Sequence, residues 1–173
     1  MMSFKVLGLN IEITVSSIIG SIILFIVFTG LALAALQLPL PGAVIWGFVA
    51  VGLYWIGEFL HQYGHFMAGR RVGYPMTGVR LWWFFGASVY PKDEPTLPAS
   101  THIQRALGGA PVSIALGIVF GILALLLKDS MSLPIWGFLA LFAFLNLVYF
   151  GFGAFLPLGF TDGSTLLYYR NKQ

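Results

Sequence analysis

The sequence predicts a membrane all-α protein with minor β structure. It is read as four transmembrane helices, an N-terminal strand, and a membrane-associated strand or hairpin region between helices 2 and 3. Three observations carry this. The 173 residues are 58% hydrophobic and only 9% charged, whereas a soluble domain carries about 25% charged residues. Four apolar runs each exceed the roughly 20 residues that cross a hydrocarbon core. Between the second and third runs lies an aromatic, β-prone stretch of the kind that settles at a membrane interface. Mean hydropathy is +0.89, and a soluble protein this apolar would have too little polar surface. Residues 1–173 are read as a single integral-membrane domain.

The elements follow in order. Phe4 to Ile13 alternates weakly and is rich in β-branched residues, which suggests a short strand. The first span runs from Thr14 to Leu36 and the second from Gly42 to Ala68, with Pro39 and Pro41 between them. The third runs from Thr101 to Leu127, with Ser100 or Thr101 as its cap, and the fourth from Leu133 to Leu156. The first run is too long for a signal peptide and lacks a small-residue cleavage site, so it is read as a retained span. Leu133 to Arg170 is too long for one straight span, so the chain must unwind near Pro157 and Gly159.

Charge sets the orientation. Lys5 precedes span one; Arg70, Arg71, Arg80, Lys92 and Arg105 cluster between spans two and three; Arg170 and Lys172 follow span four. Positive charge stays on the cytoplasmic side, so both termini and the middle loop are expected there. The net charge of +3 is small and the basic residues flank apolar spans, which suits topology and not nucleic-acid binding. The absence of cysteine excludes a disulfide framework or a thiolate metal site.

Val79 to Tyr90 contains Trp82, Trp83, Phe84 and Phe85. It reads as an interfacial anchor or, more sharply, as a strand edge that pairs with an extended substrate segment. Along span three, Gly109, Ser113, Gly117 and Gly121 recur every fourth residue, a stripe that lets a neighbouring helix approach closely.

Ionisable residues inside a membrane are costly and ask for a functional reading. His61 and His65 share one helix face with Glu58, and an i, i+4 histidine pair can grip one metal ion. Zinc usually takes three protein ligands in a catalytic site. The best third candidate is Asp162. Counted back from Arg70, His65 and His61 lie roughly 8 and 14 Å along a helix, and Asp162 lies roughly 12 Å from Arg170, so the three are expected at similar depth. His102 is read as a solvated interfacial residue, and Asp162-Gly163 has the alternative reading of a turn.

His61-Gln62-Tyr63-Gly64-His65 on one span and Pro157 with Asp162-Gly163 on a later segment resemble the site-2 protease family of intramembrane zinc metalloproteases. The resemblance covers nearly the whole chain. It implies one Zn2+ per chain held by His61, His65 and Asp162, and hydrolysis of peptide bonds in or near the transmembrane helices of membrane-protein substrates. The active site would open toward the cytoplasm. At position 62 the family carries a glutamate, which would take a proton from water at the metal and pass one to the leaving amine. Two further departures concern substrate positioning. Ala154 stands three residues before Pro157, where the family usually has asparagine, and Asn146 is too distant to take that role. Gly108-Gly109-Ala110-Pro111 only approximates the family's Gly-Pro pair.

Gln62 has no useful proton affinity. Its shape is that of glutamate without the charge, so the chain is expected to be an inactive, engineered variant of a protease. The alternative is a natural pseudoprotease that binds membrane helices without cutting. Glu58 is better placed for a hydrogen bond to a histidine than for reaching water at the metal. An ion transporter is disfavoured because no internal repeat is apparent. The expected partners are the lipid bilayer and a transmembrane protein or peptide substrate; the sequence leaves oligomeric state open.

Overall fold

The computed structural model describes residues 2–172. Two strands, β1 (Met2–Val6) and β2 (Leu9–Ile13), precede helix α1 (Val15–Ala34) and the long helix α2 (Leu40–Arg71). Strands β3 (Gly78–Trp82) and β4 (Phe85–Val89) follow, then α3 (Ala99–Ala106), α4 (Gly109–Leu127) and α5 (Leu133–Phe144). Helix α5 continues into a π-helical segment, Leu145–Phe152, and a 3-10 turn, Gly153–Phe155. Helix α6 (Asp162–Tyr169) closes the chain.

Among the described residues, four helical stretches are long and apolar enough to cross a membrane: Val15–Ala34, Leu40–Arg71, Ala99–Leu127 and Leu133–Phe155. The chain is a multi-pass membrane protein, and the bounds agree with the sequence reading to within a few residues. The third span is broken at Leu107 and Gly108, where α3 gives way to α4. Its start is at Ala99 behind Pro98 and has no side-chain cap, so neither Ser100 nor Thr101 serves as one.

The N-terminal strand is a hairpin. Leu7 and Gly8 both have positive φ, 47° and 90°, the backbone that a two-residue turn between twisted strands requires. The sheet order is β1-β2-β3-β4, with β2 and β3 parallel and the outer pairs antiparallel. Glu12 faces Arg80 across the parallel pair and accepts its Nε–H at 2.6 Å. Leu9, Ile11, Met76 and Val79 form a small core against Phe59, Tyr63 and Phe66 of α2. The second hairpin turns at Trp83, where φ is 49°. Its tip is wedged between spans: the Trp83 backbone fills the space a side chain on Gly20 would take, and the Tyr54 hydroxyl donates to the Phe84 carbonyl.

The main helical core joins Phe28 and Ala32 of α1, Trp46, Ala50 and Tyr54 of α2, and Leu145 and Phe150 of the π-helical segment. The small-residue stripe of α4 turns out to be heterogeneous. A Cβ on Gly117 would lie 2.5 Å from the backbone N and Cβ of Leu147, whereas one on Gly121 would meet only Ala143, at 3.9 Å. Gly117→Val should therefore destabilise the protein by about 1–3 kcal/mol, and Gly121→Val should be near neutral. Thermal unfolding in detergent measures the difference.

Candidate metal centre

Helices α2 and α4 cross at glycine. A side chain on Gly64 would strike the Gly108 carbonyl, and one on Gly108 would lie 2.6 Å from the Gly64 carbonyl and 2.7 Å from Ala68 Cβ. This approach slides the start of α4 over the face of α2 that carries His61 and His65. Both histidines are buried.

Asp162 arrives from the other end of the chain. The backbone unwinds after Phe155, as the length of the last stretch requires, and re-enters helix at Asp162. Gly159, with φ of 91°, makes the bend. The bend is held by side chains: Ser164 Oγ accepts the Gly159 N–H at 2.7 Å, and Thr161 Oγ1 donates to the Leu156 carbonyl. Gly163 packs so tightly on the Phe155 backbone that a side chain there would overlap it. The Asp-Gly pair thus joins the Asp162 carboxylate to a residue that only glycine can fill.

The three side chains converge. His61 Nε2 and His65 Nε2 are 3.0 Å apart, and they lie 3.5 and 3.3 Å from Asp162 Oδ2 and Oδ1. Zinc bonds of 2.0–2.2 Å at tetrahedral angles put neighbouring donors about 3.3–3.6 Å apart, so the two contacts to Asp162 match one ion and the imidazole pair is slightly closer. The hydrogen bonds fix which nitrogens face inward. His65 Nδ1 lies 2.8 Å from the Arg105 carbonyl, which can only accept, so Nδ1 carries the proton and a neutral ring presents its Nε2 lone pair to the cluster. His61 Nδ1 is 3.1 Å from Ser113 Oγ, and that contact orients its ring in the same way. With the Nε2 lone pairs of both rings turned inward, the two imidazoles and the carboxylate form a group that could hold a metal ion. Asp162 Oδ2 is also buried without a hydrogen-bond partner.

Gly109 leaves the space between the imidazoles open. A Cβ there would stand 2.5 Å from Nε2 of both histidines, inside the cradle. Ser113 was legible only as a member of the packing stripe, and Gly109 as a member of that stripe and of the Gly108-Gly109-Ala110-Pro111 run, yet both bear on the geometry around the two histidines. Arg105 is a second residue that sequence reasoning left as a topological charge. It is buried; its guanidinium pairs with both Glu94 oxygens, donates to the Tyr74 carbonyl, and sits 3.9 Å from the centre of the Tyr90 ring. Its backbone carbonyl orients His65, so the loop between α2 and α3 is tied to the histidine pair through one residue.

Gln62 and Glu58 point toward β4. Gln62 Nε2 donates to Glu58 Oε1 at 3.0 Å and to the Gly86 carbonyl at 2.7 Å, while its Oε1 accepts from Ser88 Oγ at 3.0 Å. Glu58 Oε1 also accepts the Gly86 N–H at 2.7 Å. Glu58 therefore meets Gln62 and the strand, where the sequence suggested a histidine. A cavity of about 620 Å³ opens beside the three donors. Trp82, Phe85, Tyr90, Tyr149 and Phe160 line it together with Gly86, Ala87 and Ser88 of β4. Trp83 lies at the hairpin turn and is partly exposed; Phe84 packs into the α1–α2 core. Ala154 lines the cavity, and Asn146 is wholly buried behind it. His102 lies on the cavity wall with its ring stacked on Tyr169, centroids 4.2 Å apart.

A single-atom change tests the cradle. Gly109→Ala should remove bound zinc while Gly121→Ala retains it, read by elemental analysis of folded protein. Full zinc content in Gly109→Ala would contradict the placement.

No family model matches the chain, and no curated protein does. Among solved structures it is similar to the site-2 protease from Methanocaldococcus jannaschii, with a TM-score of 0.67 and 22% sequence identity, over 96% of this chain and 69% of that one. The chain has a site-2 protease-like fold.

Proposed function

We propose that this chain is an intramembrane zinc metalloprotease of the site-2 type whose peptide-bond hydrolysis is disabled at position 62. The observation that carries the reading is the convergence of His61, His65 and Asp162 with inward-facing donor atoms. The fold likeness agrees with it.

The three side chains would hold one Zn2+, with Ser113 and the Arg105 carbonyl fixing the imidazoles. Bound zinc would polarise a scissile carbonyl and make water a nucleophile near neutral pH. The cavity would receive a locally unwound segment of a transmembrane substrate between β4 and the Phe155–Asp162 bend. Trp82 and Phe85 would contact that segment directly; Trp83 and Phe84 would brace the hairpin that presents it. A glutamate at position 62 would move the proton from water to the leaving amine. Gln62 can hold a position there but cannot accept the proton, so the chain as written should bind and not cut. The positive-inside charge pattern supports a reading in which both termini and the mouth of the site would face the cytoplasm.

A second reading, a chain that binds membrane helices without cutting, is favoured by one observation. Gln62 uses both amide hydrogens and its carbonyl in hydrogen bonds, and glutamate could not make the two donations.

Purified protein should contain about one zinc per chain, the load of one three-ligand site. That zinc should be lost in His61→Ala and Asp162→Ala; full zinc in Asp162→Ala would remove the third ligand. Reconstituted with a single-span substrate, Gln62→Glu should cut in a chelator-sensitive manner and the unaltered chain should not. If Gln62→Glu stays silent across a broad substrate panel while zinc is retained, the binding reading stands in place of the protease.

A further inference from the structure

Strand β4 is the outer strand of the sheet, and its free edge faces the cavity. In an antiparallel pair, alternate residues turn their N–H and C=O away from the partner. Gly86 is such a residue: its N–H goes to Glu58 and its C=O receives Gln62. Ser88, two residues on, presents its backbone along the same edge. Glu58 and Gln62, one helical turn apart, thus give Gly86 one acceptor and one donor. That is what the backbone of a neighbouring strand residue would give. The two side chains are also hydrogen-bonded to each other, so the pair is a unit.

We propose that Glu58 and Gln62 form a surrogate strand residue that caps the edge of β4 at Gly86 and competes with an incoming extended peptide. The proposal rests on the reading that the cavity receives an unwound membrane segment, and it adds a regulatory contact to that reading. Position 62 then has two effects. An amide supplies the donor that closes the edge; a carboxylate would set acceptor against acceptor at both Glu58 and the Gly86 carbonyl and release it. The Gly86 N–H is the more fully blocked group, because an amide hydrogen has one partner whereas a carbonyl has two lone pairs. The occupant that fits is backbone in extended form. An intact helix has no free donors and acceptors to offer the edge.

Backbone amide exchange tests the cap in the unaltered chain. Gly86 should exchange at least tenfold more slowly than Ser88, and equal rates would overturn the proposal. Binding then tests the competition. The probes are two labelled single-span peptides in nanodiscs, one with a Gly-Pro break in its cytoplasmic third and one uninterrupted. Glu58→Leu and Gln62→Leu should each bind the broken peptide about fivefold to tenfold more tightly, the worth of one released hydrogen bond. Glu58→Gln keeps an acceptor for Gly86 and should bind like the unaltered chain. Tightening toward both peptides alike, or toward neither with zinc retained, would overturn the cap. If no form of the protein binds either peptide, the underlying substrate reading falls and the cap falls with it.

Discussion

The site depends on how closely α4 can approach α2. Gly64 and Gly108 remove the side chains that would hold the two backbones apart, and Gly109 removes the one that would fill the space between the imidazoles. Without a hydrophobic driving force between helices in lipid, contact of this kind rests on close packing. Moving α4 outward by the width of a methyl group would take Ser113 away from His61 and shift the Arg105 carbonyl relative to His65. It would also disturb the wall against which Asp162 is set. The converging side chains belong to α2 and α6, but their geometry is decided by small residues where a helix that contributes none of the three crosses α2.

How much of this was legible in the sequence varied with the range of the interaction. The histidine pair is local, so its spacing on one helix face was enough to identify it. Asp162 could be matched only by depth, because arginines mark the interface and helix rise is constant; the actual contact depends on the bend at Gly159 and the Ser164 and Thr161 hydrogen bonds. The N-terminal hairpin was read as one strand because Leu7 carries no turn signal, and its positive φ is tolerated beside Gly8. Arg105 looked like a topological charge. Its burial becomes visible only when Glu94, the Tyr74 carbonyl and the Tyr90 ring surround it.

Gln62 changes meaning between sequence and structure. In the sequence it is a missing base. In the folded protein it is also a fully bonded amide that ties α2 to the strand edge beside the cavity. These are separate physical properties of one amide: it lacks proton affinity, and it supplies a donor. Glu58, which shares no bond with the histidines, matters through the second property.

X-ray absorption at the zinc edge of the purified, reconstituted protein tests the central claim most directly. The account predicts a four-coordinate ion with two imidazole nitrogens and one carboxylate oxygen at about 2.0–2.2 Å, and loss of the oxygen shell contribution in Asp162→Ala. A six-coordinate ion surrounded by water, or a first shell unchanged by the loss of Asp162, would contradict it.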